Sequence, residues 1–168
     1  MKVLETERLI LRWVESSDAE FIMKLLNEPG WLKYIGDKGI RTLDDARSYI
    51  VNGPRAMCER EGFGLFLTER KDDQSPIGLC GLIKREGLED VDIGFAFLAD
   101  FQSQGYAYEA AAGTIEFAKK IGLNRLVAIT TKDNELSSKL LEKLDMNPEG
   151  YVTLPNDTEE LKKYGLNL

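Results

Sequence analysis

The residues of this chain with the clearest chemical meaning are Gln102-Ser103-Gln104-Gly105-Tyr106-Ala107, a small-residue turn that leaves a strand-like run and enters a helix-like one. A helix N-terminus carries unpaired backbone N–H groups and a partial positive charge, and a glycine in the turn before it lets a phosphate come close. A pyrophosphate suits such a turn. Gly105 would be required because a Cβ would block the phosphate, and Ala107 because a larger side chain would crowd the first helical turn. The same six residues also fit an ordinary strand-to-helix turn that binds nothing. Two nucleotide-binding alternatives fail on spacing: a dinucleotide fingerprint needs G-x-G-x-x-G, and a P-loop ends in Gly-Lys-Ser/Thr. The pairs Gly62/Gly64 and Gly78/Gly81 lack a following helix and suit strand ends and close packing.

The 168 residues include no histidine. No serine or cysteine nucleophile can therefore lean on an imidazole, and no zinc site can use one. Any general base must be a carboxylate, a lysine, a tyrosine or water, and no metal site is expected. Cys58 and Cys80 form no C-x-x-C pair and are expected as reduced thiols in apolar surroundings.

Those residues must be positioned by a fold, and the chain has room for one domain over residues 1–168. Leu9 to Trp13 predicts a short strand, and Ser17 with Glu20 three positions on predicts a capping box opening a helix to about Leu26. A loop with Trp31 and Tyr34 leads to Thr42, which can cap a helix from Leu43 to Arg60 ended by Gly62. Phe63–Thr68 and Ile77–Lys84 form a hairpin across the polar stretch Lys71–Pro76, and Val91–Leu98 is a further strand. A helix from Tyr106 to Ile121, a β-branched strand from Arg125 to Thr131 and a helix between Asn134 and Leu144 follow. Beyond Pro148–Gly150, Leu161–Leu166 fits either strand or helix. The order describes an α/β (α+β) domain, a mixed sheet with helices on both faces.

The charge balance, 22 basic against 29 acidic side chains for a net −7, disfavours nucleic acid or anionic membrane as partner. It suits a cationic partner, and it equally suits a protein that is acidic only for solubility. Glu5 and Glu7 interrupt any apolar signal run, and no apolar stretch approaches a membrane span, so a cytoplasmic location is expected.

Several segments together resemble the GNAT superfamily of N-acetyltransferases, in its RimJ/RimL-like branch. Thr6-Glu7-Arg8-Leu9-Ile10-Leu11-Arg12 is similar to that branch's opening strand, Ile77-Gly78-Leu79-Cys80-Gly81-Leu82-Ile83 to its central hairpin, and Asp92-Ile93-Gly94-Phe95 to the next strand. Gln102 to Ala107, continuing into Glu109-Ala110, resembles its Q/R-x-x-G-x-G/A pyrophosphate turn. Asn134-Glu135-Leu136-Ser137 with Leu140 to Met146 resembles its N-x-x-S…LEKLGF helix. Each is weak alone; five in order are specific.

The resemblance implies a mostly antiparallel sheet in which the strand at Val91–Leu98 and the one at Arg125–Thr131 splay apart around coenzyme A. The exposed backbone of Ile93, Phe95 and Phe97 would bond the pantetheine like an added strand. Gln102, Ser103, Gln104, Gly105, Tyr106 and Ala107 would hold the pyrophosphate. An N–H near Phe95 would polarise the thioester carbonyl. Asp92 is placed to take the amine proton, or else is a solvent-facing strand residue. Asn134 would bond coenzyme A, or simply cap its helix, and Ser137 would sit near the thiol as a candidate acid. The family's usual acid, a tyrosine seven residues after the asparagine, is Leu141 here. Trp31 and Tyr34 are candidate acceptor contacts, or roof the core. The expected activity is direct acetyl transfer from acetyl-CoA to a primary amine, a peptide N-terminus or a small amine, by a monomer or homodimer. A noncatalytic acyl-CoA-binding sensor is the alternative.

Overall fold

Hydrophobic alternation along the strands assigns each side chain to one of two covered faces, and the computed structural model, which describes all 168 residues, shows what covers each. The elements are β1 (Lys2–Glu5), β2 (Leu9–Arg12), α1 (Ala19–Leu26), α2 (Pro29–Tyr34), α3 (Leu43–Ile50), α4 (Ala56–Glu61), β3 (Leu65–Arg70), β4 (Pro76–Ile83), β5 (Asp92–Phe97), α5 (Tyr106–Lys120), β6 (Arg125–Thr130), α6 (Glu135–Lys143), β7 (Asn147–Val152) and β8 (Leu161–Asn167). All eight strands join one sheet in the order β1-β2-β3-β4-β5-β6-β8-β7. Every junction is antiparallel except β5–β6.

On one face Phe66, Leu82, Ile93 and Phe97 pack against Ala110, Ala111 and Ile115 of α5 and Leu141 of α6. On the other, Leu67, Leu79 and Leu98 pack against Ile22 and Leu25 of α1 and Ala46 and Ile50 of α3. Alternation along β5 therefore turns Ile93, Phe95 and Phe97 toward α5, and Asp92, Gly94 and Ala96 toward the α1–α4 face.

The sequence expectations hold for most elements and fail at four places. Thr6–Arg8, expected at the head of a strand, is the turn that joins β2 to an edge strand β1 the sequence did not suggest. The first helix is entered through Glu15 and Asp18 instead of Ser17 and Glu20. Asp18 accepts from the Glu15 amide (2.7 Å) while also holding Arg12 (2.9 and 3.0 Å), so a carboxylate already paired to β2 sets the start. Trp31 and Tyr34 lie on the short helix α2 instead of a loop. The helix expected over Leu43–Arg60 widens into a π-type turn at Val51–Arg55, because Pro54 has no N–H to donate and its ring displaces the preceding carbonyl. Pro148 and Gly150 lie within edge strand β7, at a break in its register with β8 between Pro148 and Tyr151, and Leu161–Leu166, which fitted strand or helix, is strand β8.

The feature that matters for chemistry is the junction of β5 with β6. Only Asp92 and Val127 are in register, and beside them the Val127 amide reaches the Val91 carbonyl (3.0 Å). Beyond that point the two strands part.

Candidate active site

The parting leaves one edge of β5 without a partner. The Leu98 amide donates to Ile77 on β4 (2.9 Å), so residues 92, 94 and 96 share its direction and bond β4, while 93, 95 and 97 turn their amides and carbonyls toward β6. Past the Asp92–Val127 contact nothing on β6 meets them. Phe95 thus presents a free N–H and C=O, and Phe97 a free N–H. The Phe97 carbonyl is taken by the Gln102 side chain (3.1 Å). Unpaired strand edges of this kind accept an extended amide-bearing guest.

Immediately after β5 comes the turn into α5. None of the amides from Ser103 to Tyr108 donates to an acceptor in the chain, whereas the Gln102 amide bonds Ala99 (3.2 Å) and the Glu109 amide bonds Gly105 (3.0 Å). The free donors therefore begin at Ser103, one residue inside the expected run. Gly105 adopts φ +85, which few side chains tolerate, and a Cβ there would come within 3.2 Å of Arg8 Nη2. Ser103 is also left-handed at φ 61. Several successive N–H groups pointing out of a turn form an anion-binding concavity. Tyr106 is buried against the core and Ala107 half-buried, so both also serve packing.

The turn is braced by a clamp that sequence reasoning missed. Glu109 on α5 accepts from the Thr6 hydroxyl, the Arg8 amide (2.8 Å) and Arg8 Nε (2.7 Å). Arg8 Nη1 also reaches the Gln104 carbonyl (3.2 Å), and its guanidinium lies 4.3 Å over the Tyr106 ring. Burial works against ionising Glu109, yet these donors outweigh it and hold its carboxyl below the usual range. Thr6-Glu7-Arg8 was the available signal, but as a strand motif it hid a turn that meets α5 about 100 residues away.

At the closed end of the parting, on the α1–α4 face, stands Asp92. Its side chain is 2% exposed, which removes the reading of a solvent-facing strand residue. Arg85, in the β4–β5 connection, directs Nε at both carboxylate oxygens (3.1 and 3.3 Å). Burial pushes the Asp92 carboxyl up, and the Arg85 charge and hydrogen bond pull against it without cancelling it. Tyr49 on α3 is pushed up to about 12 by burial, partly offset by the Arg85 charge, so its phenol stays protonated. Neither Arg85 nor Tyr49 was marked by any local pattern in the sequence.

Asn134 caps α6, its side chain accepting from the Ser137 amide (3.3 Å), so the capping role is present in the structure and the amide nitrogen of Asn134 is free. Ser137 is half-buried on the first turn, and Leu141 is in the core. Trp31 is 6% exposed within the core between α1 and α3, and its Nε1 has no partner. Tyr34 is half-buried with the Lys33 ammonium 4.9 Å over its ring. Glu28, beside α2, accepts from the Ala99 amide (3.2 Å), so α2 lies over the far end of β5 from Asp92. The structure joins Asp92 to Arg85, and it does not join Trp31 or Tyr34 to either. No group of three or more metal-ligating side chains occurs, and no helix is long and apolar enough to cross a membrane.

A strand parts from its parallel neighbour and runs straight into an amide-rich helix start, and comparison with known proteins says which class of protein has this architecture. The family model of the acetyltransferase (GNAT) domain matches residues 8–147, and the chain belongs to this acetyltransferase family. The uncharacterized N-acetyltransferase YnaD of Bacillus subtilis (strain 168) is 28% identical over 164 residues, spanning 96% of this chain and 93% of its own. A GNAT-family acetyltransferase from Bacillus anthracis superposes with a TM-score of 0.80 at 26% identity over 99% of this chain and 98% of that one. RimL, a ribosomal L7/L12 alpha-N-protein acetyltransferase solved with coenzyme A, shares the fold at a TM-score of 0.84 and 17% identity, covering 100% and 98% of the two chains.

Proposed function

We propose that this acetyltransferase takes its acetyl group from acetyl-CoA and passes it directly to a primary amine, with an α-amino group as the preferred acceptor. The observation that carries the reading is the continuity of two sets of unpaired backbone groups, on the β5 edge and on Ser103–Tyr108, with a buried carboxylate at the closed end. The first set matches the amides of a pantetheine arm and the second the charge of a pyrophosphate. Bound acetyl-CoA supplies an activated acetyl thioester.

The residues of the chain then divide the work. The Phe95 N–H donates to the carbonyl oxygen as negative charge develops there, a term worth about 2.7–4 kcal/mol per well-placed donor. Asp92 accepts the proton that the amine loses as its nitrogen bonds the acetyl carbon. The carbon–sulfur bond breaks and the departing sulfur takes a proton, for which Ser137 is the candidate donor and Tyr49 a second hydroxyl on the acceptor face. Asn134 offers its free amide nitrogen to the coenzyme. The preference for an α-amine follows from basicity: its ordinary pKa is about 8 against about 10.4 for a lysine side chain, so it needs roughly two units less help at neutral pH.

Free thiol released from acetyl-CoA in the presence of a panel of peptides, amino acids and amines tests this directly. Thiol release matched to N-acetylated product is expected. Tight acetyl-CoA binding with no release across the panel would reduce the chain to an acyl-CoA-binding module.

A further inference from the structure

The pairing of Arg85 with Asp92 differs from the pairings of Arg12 and Arg125 in what it leaves unused, and resembles that of Arg55, which bonds Val14 and Glu15 through Nη1 alone. Arg12 engages Asp18 through Nη1 and Nη2 and Glu69 through Nε, leaving no nitrogen idle. Arg125 likewise spends Nε, Nη1 and Nη2 on Asp90, Asn167 and Glu149. Arg85 approaches Asp92 side-on with Nε alone, and its Nη1 and Nη2 find no acceptor in the chain. Its side chain is 36% exposed while Asp92 beneath it is 2% exposed. The result is an anchored guanidinium whose two terminal NH₂ groups, the edge that grips a carboxylate in bidentate fashion, remain open beside the buried base.

That arrangement bears on which amines can reach Asp92. An ammonium approaching the carboxylate also approaches the Arg85 charge, so a purely cationic acceptor is opposed at the last few ångströms. An acceptor that carries an anion next to its amine meets the opposite sign at each group. The chain's net charge of −7 acts at longer range and is screened by salt; the charge beside the base is local and positive.

We propose that Arg85 is a specificity-determining residue that binds a carboxylate lying next to the acceptor's amine, so that the enzyme selects amino-acid-like acceptors. The inference rests on the acetyl-transfer reading above and narrows its acceptor class. The carboxylate has two possible sources, the acceptor's own α-carboxylate in a free amino acid or an acidic side chain at the start of a peptide.

The test compares each source with its neutral counterpart: L-alanine with L-alaninamide, and C-terminally amidated Ala-Asp peptides with Ala-Asn ones. Amine basicity differs within each pair, so the quantity read is the acid-to-neutral ratio of kcat/KM in wild type divided by that in Arg85→Gln. A fall of at least tenfold, carried mainly by KM, is expected for one source and identifies it. A ratio unchanged within about twofold for both sources overturns the proposal. Because Arg85→Gln leaves Asp92 without its partner and can damage the fold, wild-type protein saturated with coenzyme A is also titrated with propionate, propionamide and N-propionyl-Ala-Asp-amide, followed by NMR. Saturable binding of either carboxylate with none of propionamide supports the site, and equal behaviour of all three removes it. If no amine releases thiol, acetyl transfer itself fails, and this titration still decides whether Arg85 holds a carboxylate.

Discussion

The two sides of the parting between β5 and β6 are made of different material. On the proposed donor side the groups on offer are backbone: the Phe95 amide and carbonyl, the Phe97 amide and the N–H groups of Ser103–Tyr108. On the proposed acceptor side they are side chains, Asp92, Arg85 and Tyr49, brought together from a strand, a connection and a helix. A backbone site depends on chain path and on the few residues that permit that path, so most of its side chains are replaceable. A side-chain site depends on identity at each position. The contrast predicts which substitutions matter where.

The largest effect falls on the one donor-side residue whose type is dictated by geometry. Gly105→Glu adds a side chain at φ +85, directs it toward Arg8 and sets a negative charge on the helix start, so it should abolish the rise in melting temperature that acetyl-CoA gives the wild type. ATP and NADH should raise the wild-type value far less. Gln104→Ala, which leaves every backbone group in place, should keep most of the shift. Equal loss in both variants would mean that the turn is recognised through side chains and would erase the contrast.

The acceptor side breaks at Asp92. Asp92→Asn should lower kcat by about 10²-fold or more if the carboxylate takes the amine proton, and should flatten the acid limb of the pH–rate profile. Burial raises the Asp92 carboxyl above its ordinary value, so the wild-type limb should lie above about pH 4, and Arg85→Gln, by removing the opposing charge, should move it further up. Stability carries the same sign. A carboxyl whose folded pKa is raised favours the native state below its unfolded pKa, and that contribution is lost as pH rises through the folded value. Wild type should therefore lose melting temperature relative to Asp92→Asn between about pH 4 and neutrality. A loss in kcat below about fivefold would leave Asp92 a structural ion-pair partner.

The same contrast explains what could be read in the sequence. The donor side is contiguous: Asp92 to Phe97 and Gln102 to Ala107 follow each other, and a glycine at a strand-to-helix turn announces its backbone requirement. The strand parting itself entered only through family resemblance, because pairing between β5 and β6 is a tertiary outcome. Arg85 is one of many charged residues in a polar connection, and nothing near it in sequence marks an arginine that uses one nitrogen and leaves two. Trp31 shows the converse. An aromatic in an apparent loop fitted acceptor contact and core packing equally, and it is local helix formation at Pro29–Tyr34, not visible in the loop-like sequence, that carries it into the core.

A smaller effect separates capping from coenzyme binding at Asn134. Asn134→Ala should cost about 1 kcal/mol of stability through loss of the cap on Ser137. Aspartate caps as well as asparagine but lacks the free amide nitrogen and adds a charge. Asn134→Asp should therefore keep the melting temperature of the free protein while weakening acetyl-CoA binding several-fold, measured by titration calorimetry. Unchanged affinity in Asn134→Asp would assign Asn134 to the cap alone and leave donor recognition still more fully to backbone.

The smallest effect is expected at the thiols, and it decides whether the acetyl group ever rests on the protein. An acyl-enzyme route needs a nucleophile that is ionised, or held by a base, and open to the thioester. Cys80 is wholly buried, 3.4 Å from the Thr114 hydroxyl, and burial pushes its thiol up to about 12; Cys58 is 3% exposed and pushed up to about 11. Neither thiol ionises near neutrality, neither faces the parting of the strands, and the absence of histidine removes the usual base. Cys58→Ser and Cys80→Ser should thus each keep kcat within about twofold of wild type. Mass spectrometry of protein incubated with acetyl-CoA and no acceptor should show no covalent acetyl group. An acetylated cysteine trapped in that experiment, or complete loss of turnover in a folded serine variant, would replace direct transfer with a two-step route and move the chemistry off the Asp92 side of the sheet.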